Sequence, residues 1–302
     1  MEMRKIIECV PNFSEGKRKE VIDEIVNAVK ETPGVRVLNI SSDPSHNRSV
    51  LTMVGDDKGL KQAVLTLFEK AVSLIDLTKH KGEHPRMGAV DVVPFVPVKG
   101  VTMDDCIALS KEVGKEVGER FKIPVYLYEE SATTAERKNL AKVRKGEFEG
   151  FFEKIKDPAW KPDFGPTEVH PTAGVVAIGA REFLIAFNVN LGTNDIEIAN
   201  KIARAVRHIS GGFRYVKALG MSLEDRGIVQ VSMNLVNYKK TPIFRVVELI
   251  RAEARRYGVP VIGSEIVGLV PNDALLACAD FYLQLEDFDP SQVIENRLEE
   301  EG

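Results

Sequence analysis

Between Lys79 and Arg86 (KHKGEHPR) the chain gathers two of its five histidines, two lysines, an arginine and a glutamate, then enters an apolar, β-branched run from Val90 to Val98. Histidine, glutamate and arginine so close together can hold a metal or move protons, and the backbone decides between the two. Pro85 crowds the residue before it and disfavours the α conformation there, so His84 reads as a loop residue at the mouth of a strand. From that place a side chain reaches a ligand while the sheet behind holds it still.

His80-Lys81-Gly82-Glu83-His84 fits the literal H-x-x-E-H pattern of one zinc hydrolase class. That pattern works on a helix, where two histidines four apart share a face. Gly82 weakens such a helix from inside and Pro85 pushes His84 out of it, so the expectation is a polar site without metal. The plainer alternative is a solvated His/Lys/Glu turn that ends a helix.

The elements that must position this stretch follow from periodicity. A short strand, Ile6 to Val10, stops at Pro11, and the turn Asn12 to Gly16 starts a helix from Arg18 to Lys30 whose Val21, Ile22, Ile25, Val26 and Val29 recur at helical spacing. Strands Val35 to Ile40 and Ser49 to Gly55 flank the turn Ser42 to Arg48, which is rich in turn formers. A helix from about Gly59 to Leu77 leads to the opening stretch. Thr102 caps a further helix to Phe121, a strand covers Val125 to Tyr128, and a basic amphipathic helix runs from about Thr134 to Lys156.

Asp157 to Gly174 carries Pro158, Pro162, Pro166 and Pro171 with the single Trp, a composition that excludes regular structure. Beyond it the order repeats: strand Phe183 to Leu191, helix Asp195 to Ile209, strands Tyr215 to Met221 and Ile228 to Val236, helix Ile243 to Tyr257, strand Val259 to Ile262. Asn272 to Ala279 reads as a short helix, Phe281 to Leu285 as an edge strand, and the acidic end from Glu295 as fraying. Both halves therefore read β-α-β-β-α-β, which predicts an α+β chain of two tandem ferredoxin-like subdomains, residues 1–180 and 181–302. Helices would cover one face of each sheet, leaving the other to the partner half or a second subunit.

With 302 residues, 44% of them hydrophobic, there is material for two cores, and a formal net charge of −4 argues against a nucleic-acid surface. Cys9, Cys106 and Cys278 are odd in number and far apart, which suits reduced thiols in a cytoplasmic protein. No apolar run approaches the length of a membrane span.

Five blocks, in order, point to a family: Cys9-Val10-Pro11-Asn12-Phe13-Ser14-Glu15-Gly16; Gly82-Glu83-His84-Pro85-Arg86-Met87-Gly88-Ala89; Pro162-Asp163-Phe164-Gly165-Pro166; Gly179-Ala180-Arg181 with Phe183-Leu184-Ile185-Ala186-Phe187-Asn188; and Val267-Gly268-Leu269-Val270-Pro271. The chain resembles the glutamate formimidoyltransferase family over nearly its whole length. The resemblance implies transfer of the formimidoyl group of N-formimidoyl-L-glutamate to N5 of tetrahydrofolate, two related α/β subdomains and a homodimer. His84 falls on the family's catalytic histidine. The folate segment falls on Gly165, Pro166, Thr167, Glu168, Val169, His170, Pro171, Thr172, Ala173 and Gly174. An acidic residue of animal members falls on Ser41, so Asp43 would have to substitute for it.

The residues supply reasons of their own. N5 attacks an amidine carbon, and a proton must leave N5 while another reaches the departing glutamate nitrogen. An imidazole with an unperturbed pKa of about 6.5 can do both. Both substrates carry carboxylates, which an arginine can hold with two parallel hydrogen bonds, and Arg48, Arg86 and Arg181 stand beside the motifs. Asp43 would orient an imidazole or pair with the amidine. Two alternatives stay open: formyl transfer between 5-formyltetrahydrofolate and glutamate, and a protein that binds folate or an amino acid without converting it.

Overall fold

The computed structural model describes residues 5–301. The chain divides into two compact units, 1–181 and 182–302. Both mix strands and helices, in keeping with an α+β chain.

In the first unit β1 (Ile6–Cys9) and β2 (Asn12–Phe13) are two pieces of one interrupted strand. There follow α1 (Lys19–Lys30), β3 (Val35–Asp43), β4 (Arg48–Gly55), α2 (Asp57–Leu74), β5 (Val90–Lys99), α3 (Met103–Phe121), β6 (Val125–Glu129), α4 (Leu140–Arg144), α5 (Glu147–Lys154) and β7 (Val176–Ala180). β1 and β2 lie between β4 and β5, antiparallel to both, and β3 pairs with β4 on the far side. Pro11 has no N–H to give, and the strand breaks there. α1 starts where the Glu15 carboxylate accepts from the backbone N–H groups of Lys17 and Arg18, both at 2.9 Å. α3 starts at a full capping box between Thr102 and Asp105.

This unit goes beyond the expected four-strand pattern. β7 adds to β5 and β6 adds to β7, both in parallel, which a β-α-β-β-α-β reading of this half does not contain. Helices are also not confined to one face here. The ring of Tyr126 meets Phe151 of α5 at 5.4 Å, while Val125 on the other face lies against α3 at Gly114. Parallel strands are buried on both sides, and β5 and β6 read accordingly as near-continuous apolar runs. The helix expected from Thr134 to Lys156 is three short pieces, because Asn139 and Gly146 act as caps within it. The Pro-rich stretch holds one turn of 3₁₀ helix, Pro158–Trp160, and otherwise runs as loop.

The second unit comprises β8 (Ile185–Leu191), α6 (Ile196–Val206), β9 (Val216–Leu223), β10 (Ile228–Leu235), α7 (Ile243–Arg256), β11 (Val261–Val267), α8 (Asn272–Leu283) and α9 (Ile294–Glu301). Its sheet runs β11-β8-β10-β9 with every pairing antiparallel. Phe187, Val189, Leu191, Val229, Val231 and Met233 alternate onto the face that packs on α6 and α7. Two expectations fail at the end of the chain. Phe281 to Leu283 continue α8, with the left-handed Gln284 closing it, and residues 294–301 are helical. Among the described residues no helix is long and apolar enough to cross a membrane.

Candidate active site

Three loops of the first unit meet: Asn12 to Gly16, Asp43 to Arg48, and His80 to Ala89. A Cβ on Gly16 would fall 2.3 Å from the Asp43 carbonyl oxygen, and one on Gly82 would fall 2.3 Å from that of His46. Only glycine allows backbones that close. Gly82 is thus a packing residue as well as a helix breaker. Asn47, with φ of 49°, knits the three loops: its Oδ1 accepts from Gly16 N at 2.9 Å and its Nδ2 donates to Lys81 O at 3.0 Å. Ser14 Oγ donates to Gly88 O at 2.8 Å, closing the ring.

His84 stands in this knot, outside any helix. Its Nδ1 lies 2.6 Å from Pro85 O, which only accepts, so Nδ1 carries the proton. Its Nε2 faces the Arg48 guanidinium, which only donates, so Nε2 is a lone pair. The imidazole is neutral. Burial first, then the charges of Arg48 and Arg144, bring its pKa down to about 4.

Arg48 also donates to Asn12 Oδ1, and its Nε is buried without a partner among the described residues. Among the described residues it makes no salt bridge, and burial, opposed by the charge of nearby Asp91, lowers its pKa to about 10. A part-buried guanidinium that no carboxylate contacts directly is a place for an anion.

Asp43 orients an imidazole, but that of His46. Its Oδ1 accepts from the N–H groups of Ser45 and His46 at 2.8 and 2.9 Å, and its Oδ2 meets His46 Nδ1 at 2.7 Å. These bonds hold the carboxyl below its ordinary range. The rings of His46 and His84 lie 6.0 Å apart, edge to face.

His80 lies in the loop and not at a helix end, since α2 stops at Leu74. Its Nε2 donates to Asn47 O at 2.8 Å and its Nδ1 accepts from Arg86 Nε at 3.3 Å. Arg86 is itself held by Glu149, at 2.6 and 2.8 Å, and by Glu147 at 3.2 Å. Its fork is filled from within the chain. Arg181 follows the C-terminal end of β7, whereas His84 precedes the N-terminal end of β5, which runs parallel to it. The two lie at opposite ends of these strands, and the structure does not bring them together.

The segment Gly165 to Gly174 ends against the His84 loop. Thr172 O accepts from Leu77 N, Ala173 O from Ala89 N, and Met87 O from Val175 N, each at 2.9 Å. His170 Nδ1 accepts from the N–H groups of Thr172 and Ala173, so that ring serves its own turn. Thr167, Glu168 and Pro171 are exposed.

Sequence reasoning missed the support. Asp91, 1% exposed on β5, accepts from Met87 N at 2.8 Å and pairs with Arg144 at 2.6 Å, fixing the loop that carries His84. A lone acid inside an apolar strand was the available signal. On the other side of Ser14, Asn47 and His80 opens a cavity of about 420 Å³ that Lys17, Arg18, Asp76 and Lys79 also line. Among the described residues no group of three or more His, Cys, Asp or Glu side chains is arranged to hold a metal ion.

A neutral imidazole with a lone pair, an oriented Asp–His pair and a guanidinium without a direct carboxylate partner stand together here, groups whose chemistry is to accept a proton and to hold an anion. The chain belongs to the formiminotransferase family. Residues 6–181 match the formiminotransferase domain, N-terminal subdomain, and residues 186–297 match the formiminotransferase domain. It is 56% identical over 297 residues to the glutamate formimidoyltransferase of Streptococcus pyogenes, covering 98% of this chain and 99% of that one. To the glutamate formimidoyltransferase of Thermoplasma acidophilum it is 49% identical, covering 97% of each. It also resembles the formimidoyltransferase-cyclodeaminase of Mus musculus, at 44% identity over 98% of this chain and 57% of that protein.

Proposed function

We propose that this chain transfers the formimidoyl group of N-formimidoyl-L-glutamate to N5 of tetrahydrofolate, releasing L-glutamate, with His84 as the base. The observation that carries the reading is the neutral His84, its Nε2 lone pair turned onto a guanidinium that makes no salt bridge among the described residues. N5 attacks the amidine carbon and a tetrahedral carbon bearing three nitrogens forms. The proton of N5 passes to Nε2, the bond from carbon to the glutamate nitrogen breaks, and the proton ends on that nitrogen. Arg48 covers Nε2 in the free protein. A substrate carboxylate that draws Arg48 away uncovers the lone pair and removes a cation from beside it, so the base strengthens as substrate arrives. Lys17 and Lys79, beside the adjoining cavity, offer further cations for the carboxylates of glutamate or folate.

The segment Gly165 to Gly174 is the folate segment in this reading, supported by its docking on Met87 to Ala89. In the same reading the order β11-β8-β10-β9 is ferredoxin-like, and so is the β3-β4-β1/β2-β5 part of the first sheet, with β7 and β6 as additions. The chain acts as a cytoplasmic homodimer without a metal. His84→Ala tests the mechanism: turnover should fall by about 10²- to 10⁴-fold while folate binding weakens much less. A raised Michaelis constant with turnover intact would make His84 a binding residue.

A further inference from the structure

Proton transfer through His84 leaves the Asp43–His46 pair without a task, although the pair is built as a working imidazole is. Oδ1 of Asp43 is fixed by the N–H groups of Ser45 and His46, and its Oδ2 lies 2.7 Å from His46 Nδ1. Those bonds keep the carboxyl ionised around neutrality, and a carboxylate only accepts, so Nδ1 carries a proton and Nε2 is the end left for chemistry. Nε2 makes no hydrogen bond among the described residues. The two side chains are 42% and 50% exposed, and an ion pair so open to water adds little to stability. Its effect is to aim the ring. The backbone of His46 is held as well, because its carbonyl oxygen abuts Gly82 in the loop that carries His84. The two rings lie 6.0 Å apart, edge to face, and line one cleft with Arg48.

The proposed reaction has to choose between two leaving groups. Attack by N5 gives a carbon bonded to N5, to an NH2 group and to the glutamate nitrogen. The last two are both amines of similar basicity, and the one that is protonated departs. If the glutamate nitrogen takes the proton, the electron pair of its bond to carbon goes with it, glutamate leaves, and the formimidoyl group stays on N5. If the NH2 group takes the proton, ammonia leaves and N5 stays joined to glutamate through the carbon. An imidazole that has drawn the proton from N5 holds it beside N5 and does not make this choice. We infer that His46 is the acid that protonates the glutamate nitrogen and so selects glutamate over ammonia, with Asp43 as its positioning residue and His84 as the base at N5. The inference rests on the proposed reaction. Proton transfer needs heavy atoms about 2.6 to 3.2 Å apart, so rings with centroids 6.0 Å apart can serve two nitrogens of one carbon. A histidine as a residue type takes and gives its second proton around neutrality. In each turnover His84 gains the proton of N5, His46 gives up the one on Nε2, and solvent restores both.

The test uses the full chain as parent, His46→Gln and His46→Ala, with N-formimidoyl-L-glutamate and tetrahydrofolate under exclusion of oxygen. Glutamate and ammonia released are counted against donor consumed, and mass spectrometry identifies the folate product. Turnover by the parent checks the reaction itself; a parent that moves no formimidoyl group would end that reading and the inference with it. An active parent should release glutamate alone. His46→Gln should lower turnover by about 10²- to 10⁴-fold and release ammonia in part of what remains, giving a folate product heavier by the retained glutamate. Imidazole added to His46→Ala should raise glutamate release, a response that the loss of a packing contact does not give. With an active parent, turnover of both variants within a few-fold of it, glutamate as the sole leaving group in the slow variants, or no gain from imidazole would each overturn the inference.

Discussion

Arg48→Gln separates the charge of the guanidinium from its place in the cleft. In the parent the pKa of His84 falls from 6.5 to about 4, with burial the largest cause, Arg48 the second and Arg144 the third. A bare pair of unit charges about 4 Å apart, at an effective dielectric near 20, would be worth about 4 kcal/mol, or about three pH units. That exceeds the whole gap, so water on the open side of the ring must screen most of it. Since burial outranks Arg48, the substitution should return less than half of the depression, and we expect a rise of about one pH unit. Proton–carbon NMR of the imidazoles reads it directly, the His84 signal being assigned by its absence in His84→Gln. Stability gives a second reading. A histidine whose folded pKa lies below its unfolded value costs nothing above about pH 6.5, where both states are neutral. As pH falls from 6.5 toward 4 the unfolded chain takes the proton first and the fold loses stability. In Arg48→Gln that loss should be smaller and stop at a higher pH. A His84 pKa that stays at its parent value or falls would mean that the guanidinium does not act on Nε2, and the idea of a base released by substrate would go with it.

Other changes have equally definite outcomes. Asp91→Asn keeps the acceptor for Met87 N but leaves the part-buried Arg144 without its ion-pair partner, so urea unfolding should show a loss of about 3 kcal/mol; a loss under 1 kcal/mol would mean that Arg144 finds water. His80→Ala should lower turnover far less than His84→Ala, its cost appearing instead as a lower melting temperature, because His80 ties Asn47 to Arg86; equal kinetic damage from both would undo the assignment of roles. Gly82→Ala forces the 43–48 and 80–89 loops apart and should cut activity even where circular dichroism shows the fold intact. Turnover should persist in a strong chelator, and chelator-sensitive turnover with near one zinc per chain would contradict the metal-free reading.

How far the sequence reached depends on how local each cause is. Helix α1 and strands β3, β4 and β10 stand within a few residues of their expected limits because their apolar periodicity is internal to them. Nothing local marks Val176 to Ala180 as a strand, since a five-residue apolar run after a proline-rich loop carries no periodicity of its own. Phe281 to Leu285 has the composition of a strand, yet α8 runs on through Leu283 and packs against α7, with Phe281 stacked on Phe244 at 4.3 Å. In the site, His84 was legible because Pro85 acts on its immediate neighbour. The arginines were not, because what distinguishes Arg48 from Arg86 is whether Glu147 and Glu149, some sixty residues away, fill the fork. His46 and Asn47 looked like any turn formers, and nothing in a turn's composition says which side chain faces another loop.

The place of β7 bears on how the chain is made. It is the last strand of the first unit to leave the ribosome, yet it is an interior strand, seated between β5 and β6. Until it emerges, β6 has no strand to pair with, only the bridge from Val125 to Phe164, and β5 carries an open edge. The nascent unit must therefore hold two unsatisfied strand edges through the synthesis of the 46 residues 130–175, exposed to other chains for as long as that takes. Ribosome-bound chains halted before Val176 should accordingly be far more sensitive to protease across β6 than chains halted well after Ala180, and equal protection in both would show that β6 is sheltered without its partner.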